Sequence, residues 1–385
     1  MNRKKQVLML ASVASMIDQF NLPNIRLMQE LDYEVHVACN FDKGNTCDEN
    51  RIQKLKALLG KNDVRWHQWD CPRKIRSAGD CIRAYGQLQK LIRQYRVEWI
   101  HCHSPVGGVL SRIAAHFAGI PVIYTVHGFH FYQGAPAQNW LLYYPVEKLL
   151  SYWTDVLITI NQEDYRFAKM HLNARRIRRI PGVGIDIERF RDYQPQTTRE
   201  AFCRRYHLPL DAKILLSVGE LSSRKNHRLV LSALPDLQDH IYYIICGQGE
   251  LREELIAFAR ETGVSERIRL AGYLEDVREL YKHADVFVFP SYQEGLPAAL
   301  VEAMACGLPC LVSDIRGNRE LIRQESCRFK PDDSACFCKR LQALLDDPQY
   351  AAGKAAQCQK RAVSYGRKMA ERKIRTIYKS MKDDR

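Results

Sequence analysis

The sequence predicts an α/β protein built from two doubly wound, Rossmann-like parallel-sheet domains in tandem. Short β-branched runs alternate with helical segments through the first half of the chain, which is the pattern of βαβ units. A second alternating series runs from residue 213 to about residue 343. At 385 residues, the chain gives each domain enough length to bury its own core.

In chain order, the first-half strands are expected at residues 7–10, 34–38, 97–102, 122–126 and 156–160. Helices are expected near residues 22–31, 80–95, 107–118, 140–152 and 163–171. The basic start followed by apolar residues 7–17 is similar to a short signal peptide. A first strand followed by a small-residue loop at 11–15 is the preferred reading, because the neighbouring segments need that strand. Residues 179–184, RIPGVG, punctuate the series and read as an interdomain connection. The first domain is therefore placed at residues 1–186 and the second at 187–365, with the terminal helix at 366–385 joining the first.

The second series contains the most informative stretch, residues 286–309, VFVFPSYQEGLPAALVEAMACGLP. Val286 to Phe289 is long enough for a buried parallel strand and too short for a helix. Pro290 ends it, a polar loop follows, and Pro297 suits the first turn of a helix, where a missing N–H costs nothing. Gly307 and Pro309 stop that helix. A helix that begins at the carboxyl end of a parallel strand offers free N–H groups where ligands bind in such sheets. Two carboxylates mark the unit: Glu294 in the loop and Glu302 in the helix. Each can accept two hydroxyl hydrogen bonds from a sugar or ribose. The competing reading is a loop glutamate and a helix-surface glutamate.

Composition narrows the function. A hydrophobic fraction of 46% suits a globular chain, and no run reaches the ~18–20 apolar residues of a membrane span. Thirteen cysteines without C-x2-C pairs argue for a reduced interior, not a disulfide framework. Of the +14 net charge, residues 1–186 hold 25 basic against 16 acidic side chains. Residues 65–96 carry eight basic and two acidic residues, with Trp66 and Trp69 interleaved. That patch suits an anionic membrane surface or a diphosphate-bearing acceptor, and the basic final helix suits the first domain or the membrane. A solvated basic face is the alternative. No recognition motif accompanies the charge, so no nucleic-acid partner is expected. His101, His103, His127, His130 and Cys102 invite a metal, but strand alternation turns His101 and His103 away from Cys102. No tetrahedral spacing results, and no metal is expected.

The pattern Ser291-x-x-Glu294-Gly295-x-Pro297, then Glu302-Ala303-Met304-Ala305-x-Gly307-x-Pro309, resembles the E-x7-E signature of retaining glycosyltransferases of the GT-B fold, especially family 4. Residues 127–144, HGFHFYQGAPAQNWLLYY, look like those of family members that build bacterial capsule and exopolysaccharide. Tyr143-Tyr144-Pro145-x-Glu147-Lys148 continues the likeness without an evident chemical role.

The resemblance implies two facing Rossmann-like domains with a cleft between them and a nucleotide-diphospho-sugar on the second. His127 would lie beside the transferred sugar. Glu294 would take the sugar hydroxyls, and Glu302 the ribose. Arg224, Lys225 and the segment Gly295, Leu296, Pro297 and Ala298 would take the diphosphate. Gly247 and Gly249, after a strand, with Tyr273 and Leu274, would frame the nucleotide. Ser12 and Ser15 stand in the first loop, where many members carry a Gly-Gly pair facing the donor diphosphate or acceptor. Glu220 stands where an arginine is common, which makes Arg224 the nearest substitute.

The activity implied is transfer, with retention and without metal or other cofactor, of a hexosyl or N-acetylhexosaminyl group. The donor would be a nucleotide-sugar co-substrate, with UDP the favoured nucleotide. The acceptor would be a polyprenyl-diphosphate-linked saccharide at the inner face of the cell membrane, the enzyme being cytoplasmic and peripheral. A nucleotide-sugar epimerase and a non-catalytic sugar-nucleotide-binding partner are the alternatives.

Overall fold

The computed structural model describes residues 4–45, 47–73 and 77–383. Lys74 and Arg76, two members of the basic stretch, lie outside the described residues. The chain divides into two compact units: residues 1–184 with 368–385, and residues 185–367.

The first unit holds seven strands: β1 (Lys5–Leu10), β2 (Tyr33–Cys39), β3 (Arg65–Gln68), β4 (Trp99–His103), β5 (Val122–Val126), β6 (Val156–Thr159) and β7 (Arg176–Arg179). They lie in the order β3-β2-β1-β4-β5-β6-β7, every neighbouring pair parallel. Leu8 and Leu10 of β1, Ile100 and Cys102 of β4, and Tyr124 of β5 share one core with Leu88, Ile92 and Leu110 from helices. The five expected strands are present. β3 and β7 were missed, because RWHQ and RIRR are polar edge strands with little buried surface to announce them.

Two further expectations change. The first loop is shorter than expected: the chain turns helical at Ala14 and continues through a π-helical stretch, Ile17–Asn21. Trp69 is fully buried, its indole N–H donating to the Ala84 carbonyl at 2.8 Å. Of the aromatic pair in the basic stretch only Trp66 reaches solvent. The final helix, Arg367–Asp383, sets Ala370, Ile374, Ile377, Tyr378 and Met381 inward. Within the first unit Tyr378 meets His101 Nδ1 at 2.7 Å.

Glu147 has a structural role. Its carboxylate takes a bidentate pair from buried Arg112, at 2.8 and 3.1 Å, with the Tyr124 ring 4.1 Å from the guanidinium carbon. Gly108 makes room for this stack, since a Cβ there would come within 2.4 Å of the Tyr124 ring.

The second unit holds β8 (Lys213–Val218), β9 (Ile241–Cys246), β10 (Ile268–Gly272), β11 (Val286–Phe289), β12 (Cys310–Ser313) and β13 (Arg328–Phe329). Their order is β10-β9-β8-β11-β12-β13, again all parallel. Strand order reverses between β1 and β4 in one unit and between β8 and β11 in the other. In such sheets the crevice outside those strand ends is the binding position.

Candidate active site

In the second unit, loop 219–226 leaves β8 and loop 290–297 leaves β11, both at the switch point. The two loops are tied to each other. The Tyr292 N–H donates to the Arg224 carbonyl at 2.9 Å, Asn226 Nδ2 to the Pro290 carbonyl at 3.2 Å, and Arg224 Nη1 to the Gln293 carbonyl at 2.9 Å. Glu294 is the hub. Its Oε1 accepts from Lys225 Nζ at 2.8 Å and from Arg224 Nη1 at 2.9 Å. The lysine stem crosses Gly219, where a Cβ would lie 2.9 Å from Cε, and its ammonium sits 4.3 Å from the Phe289 ring centroid.

Burial works against charge on both partners. On Glu294, Lys225 and Arg224 outweigh it and hold the carboxyl below its ordinary range. On Lys225 burial lowers the pKa, and the single shared carboxylate only partly offsets it. Glu220, at the position where an arginine is common, adds an acid 4.0 Å from Arg224.

The helix after loop 290–297 spans Ala298–Ala305. Pro297 is its N-cap in extended conformation, one residue before the expected first turn, and no side chain caps the helix. Leu296 and Pro297 are buried, while Gly295 and Ala298 are partly exposed. Two residues to which the sequence assigned no role fix this loop from behind. Arg316 Nε donates to the Glu294 carbonyl at 3.1 Å, and Gly317 sits so close that a Cβ would come within 2.6 Å of the Gly295 oxygen.

Glu302, one turn into the same helix, accepts from the Tyr281 hydroxyl at 3.0 Å. Burial pushes its carboxyl up to about 7, against the pull of that hydrogen bond. Cys246, at the end of β9, lies within electrostatic reach of Glu302, and its thiol meets the Gly272 carbonyl. Tyr273 is exposed and Leu274 half-buried.

Gly247 and Gly249 serve packing directly. At Gly247, φ is +155° and a Cβ would come within 1.8 Å of the Gly219 oxygen; at Gly249 it would come within 2.2 Å of the Leu221 oxygen. The Gly219 N–H donates to the Cys246 carbonyl and the Leu221 N–H to the Gln248 carbonyl, each at 2.9 Å, so these glycines join the β9 loop to the cation-bearing loop.

In the first unit, His127 Nε2 meets His103 Nδ1 at 3.0 Å, and His101 Nε2 meets Thr125 Oγ1 at 2.8 Å. His103 and His127 line a small pocket with Phe20, Asn21 and Asn24. Burial lowers the His127 pKa to about 4, so its ring is neutral at pH 7. Ser12 is fully engaged: its N–H donates to Ser104 Oγ at 2.9 Å, and its Oγ accepts from Ser104 Oγ at 3.0 Å and from the Gly107 N–H at 3.2 Å. Ser15 is buried, its N–H on Asn45 Oδ1 at 3.2 Å. Ser12 thus fixes the first loop through its own hydrogen bonds, and Ser15 anchors the helical turn Ala14–Met16 through its backbone N–H. Among the described residues no group of three or more His, Cys, Asp or Glu is placed to hold a metal ion.

The family model described as Glycosyltransferase Family 4 matches residues 25–189, and that described as Glycosyl transferases group 1 matches residues 198–369. EpsD of Bacillus subtilis is 35% identical over 390 residues, covering 98% of this chain and 97% of EpsD. The UDP-Gal:alpha-D-GlcNAc-diphosphoundecaprenol alpha-1,3-galactosyltransferase of Escherichia coli is 32% identical over 272 residues, covering 68% of this chain and 69% of that enzyme. The crystal structure of HepE from Anabaena, in complex with UDP and glucose, superposes with a TM-score of 0.78 at 17% identity, covering 98% of this chain and all of that one. Two Rossmann-like units of this kind define the GT-B fold. The chain belongs to glycosyltransferase family 4 and is a glycosyltransferase.

Proposed function

We propose that the protein transfers a sugar from a UDP-sugar to a saccharide linked to a polyprenyl diphosphate, in bacterial exopolysaccharide synthesis. The observation that carries the donor site is the single oxygen of Glu294 shared by Lys225 and Arg224 at the switch point of the second unit. The acceptor class is supported by the likeness to the Escherichia coli enzyme, whose name specifies UDP-Gal and a diphosphoundecaprenol-linked sugar.

In this reading Arg224 and Lys225 carry the donor diphosphate, together with the N–H groups from Gly295 to Ala298. Glu294, held ionised by those cations, takes sugar hydroxyls and keeps the cations in place. Cations and helix N–H groups fixed beforehand stabilise charge on the departing diphosphate. Glu302 takes the ribose hydroxyls, beside the backbone frame of Gly247, Gly249, Tyr273 and Leu274. His127, neutral and oriented by His103, positions the transferred sugar, and transfer proceeds with retention.

Calorimetric titration in EDTA with UDP, GDP, ADP and their sugar conjugates tests the donor site. Binding of UDP and its conjugates, weakened in Lys225→Ala and Glu302→Ala by about 1–3 kcal/mol, is the expected result. Equal binding by wild type and both variants would remove the assignment. Radiolabelled transfer to a lipid-diphosphate saccharide, with the anomeric configuration of the product read by NMR, tests the rest.

A further inference from the structure

The helix Ala137–Ser151 is apolar on both faces. Trp140, Tyr143, Tyr144 and Leu150 face the core of the first unit, where Glu147 meets Arg112. At 100° per residue the opposite face carries Leu141, Leu142, Pro145, Val146 and Leu149, and Tyr152 continues it past the helix end. That face is in water: Leu141, Leu142, Val146, Leu149 and Tyr152 are between 40% and 79% exposed. Phe117, 70% exposed, is linked to it through Trp153, whose ring centroid is 6.4 Å away. Met170, 71% exposed, adjoins it where Lys148 Nζ donates to the His171 carbonyl.

Scattered exposed apolar residues need no explanation, but a contiguous patch of this kind marks an interaction surface. We propose that this face of helix Ala137–Ser151 docks into the headgroup–acyl boundary of an anionic bilayer. Its chemistry fits a lipid surface better than a second copy of the chain. Aliphatic side chains form the middle, with Tyr152 and Trp153 at one end, where rings with a polar edge favour the interface. Lys148 lies on this helix, and Arg166 and Lys169 are exposed on the helix Gln162–His171. That helix packs against it through Phe167 on Trp140 and Tyr144, and its own carboxylates, Glu163 and Asp164, are half-buried and buried. Of the two carboxylates in residues 137–155, Glu147 is buried against Arg112 and Asp155 accepts from the Val122 N–H at 2.8 Å. A chain of net charge +14 meeting itself through this face gains no complementary charge.

Among the described residues no helix is long and apolar enough to cross a membrane. The contact is therefore interfacial, the apolar face entering the boundary by about 5–10 Å. The choice of a bilayer rests in part on the lipid-linked acceptor proposed above. It also relocates the membrane contact expected at residues 65–96, where Trp69 is buried.

The test is cosedimentation with vesicles of pure phosphatidylcholine and of phosphatidylcholine with phosphatidylglycerol, beside UDP titration of the same samples. Wild type should partition onto the anionic vesicles, and Leu142→Ser with Leu149→Ser should lower partitioning at least tenfold at unchanged UDP affinity. Lys169→Glu should weaken binding only to the anionic vesicles. If the double variant fails to fold, Phe117→Ser with Met170→Ser on neighbouring helices serves instead, as does quenching of wild-type tryptophan fluorescence by brominated lipid. Wild type that binds UDP and stays in solution with every vesicle overturns the inference without touching the donor site. So does a double variant that sediments like wild type, or a wild-type dimer that the double variant dissociates.

Discussion

Lys225 Nζ and Arg224 Nη1 converge on one oxygen of Glu294, at 2.8 and 2.9 Å, across 69 and 70 residues of sequence. A ligand diphosphate at this position has to share cations that already have a partner. The site is therefore assembled before the ligand arrives, and Glu294 holds it together. Lys225→Ala leaves a buried carboxylate with only the half-exposed Arg224 for compensation. Removing one member of a buried pair costs about 3–5 kcal/mol; here the remaining arginine reduces this to about 2–3 kcal/mol. Urea unfolding should show that loss as a lower midpoint at constant slope. Because the Glu294 carboxyl is held below its ordinary 4.5, its contribution is present above that value and is lost as pH falls through the folded pKa. An unshifted midpoint in Lys225→Ala would mean the pair is dispensable to the fold.

Glu302 gives the opposite pH dependence. Its folded pKa, raised to about 7 by burial, lies above the unfolded value, so the group disfavours the folded state progressively as pH rises from about 4.5 through 7. A ribose whose hydroxyls donate to it favours the ionised form. Donor affinity should therefore strengthen between pH 6 and 8, with protons released on binding. Calorimetry in buffers of different ionisation enthalpy reads that release. In Glu302→Gln the pH dependence should vanish while the Tyr281 hydrogen bond survives. An affinity that is flat with pH in wild type would place the ribose elsewhere.

Much of this was legible in the sequence because buried parallel strands announce themselves. Val286-Phe287-Val288-Phe289 and the strand at Val122 are short apolar runs bounded by breakers, and Glu294 and Glu302 follow at motif spacing. Edge strands were not legible. Arg176–Arg179 holds its place through backbone pairing with β6 and buries only Ile177 fully, so its sequence looks like a basic loop. Long-range pairings escaped for a related reason. Nothing local to Glu147 indicates Arg112, and nothing local to Ser12 indicates that Ser104 and Gly107 will occupy its hydroxyl. Gly247 and Gly249 were read as framing a nucleotide, and the approach of the Gly219 and Leu221 carbonyls is a separate packing reason for glycine there.

That approach yields a third expectation. Gly247→Ala puts a Cβ at a φ of +155° and 1.8 Å from a backbone oxygen, so either the β9 loop or the loop carrying Lys225 has to move. The positive φ alone costs about 1–3 kcal/mol, and the clash adds to it. The thermal unfolding midpoint should fall by at least ~2 °C for a unit of this size, and UDP affinity should fall with it. Unchanged stability with lost affinity would instead indicate a direct ligand contact.

The histidine cluster of the first unit sets a fourth. Burial lowers His127 to about 4 and His101 to about 3, while His103 falls well below its ordinary 6.5. In the unfolded chain each would take up a proton near 6.5. The unfolded state therefore binds more protons below that value, and stability is lost as pH falls from about 6.5 toward 4. Proton NMR of the imidazole Cε1 signals should show these three rings untitrated between pH 5 and 8. His103→Ala, which removes the partner of His127 Nε2, should lower kcat more than it raises the donor KM. A ring titrating near 6.5 and assigned to His127 would show that it is exposed and charged in solution.

The buried Arg112–Glu147 pair supplies the last. Arg112 is enclosed by the Glu147 carboxylate, the Gly108 carbonyl at 3.0 Å and the Tyr124 ring. Glu147→Gln keeps the shape but leaves a guanidinium without a counter-charge in the core, which costs about 3–5 kcal/mol. Replacing both partners by apolar residues of similar volume, Arg112→Met with Glu147→Leu, removes the charge that would be stranded. The double variant should regain most of the loss, although the Tyr124 hydroxyl then forfeits its contact with Glu147 Oε1, which is 3.3 Å long. Denaturant midpoints of the wild type, Arg112→Met, Glu147→Leu and the double variant complete the cycle. A double variant as unstable as Glu147→Gln would mean that the pair contributes beyond satisfying its own charges, by fixing the helix whose outer face is apolar.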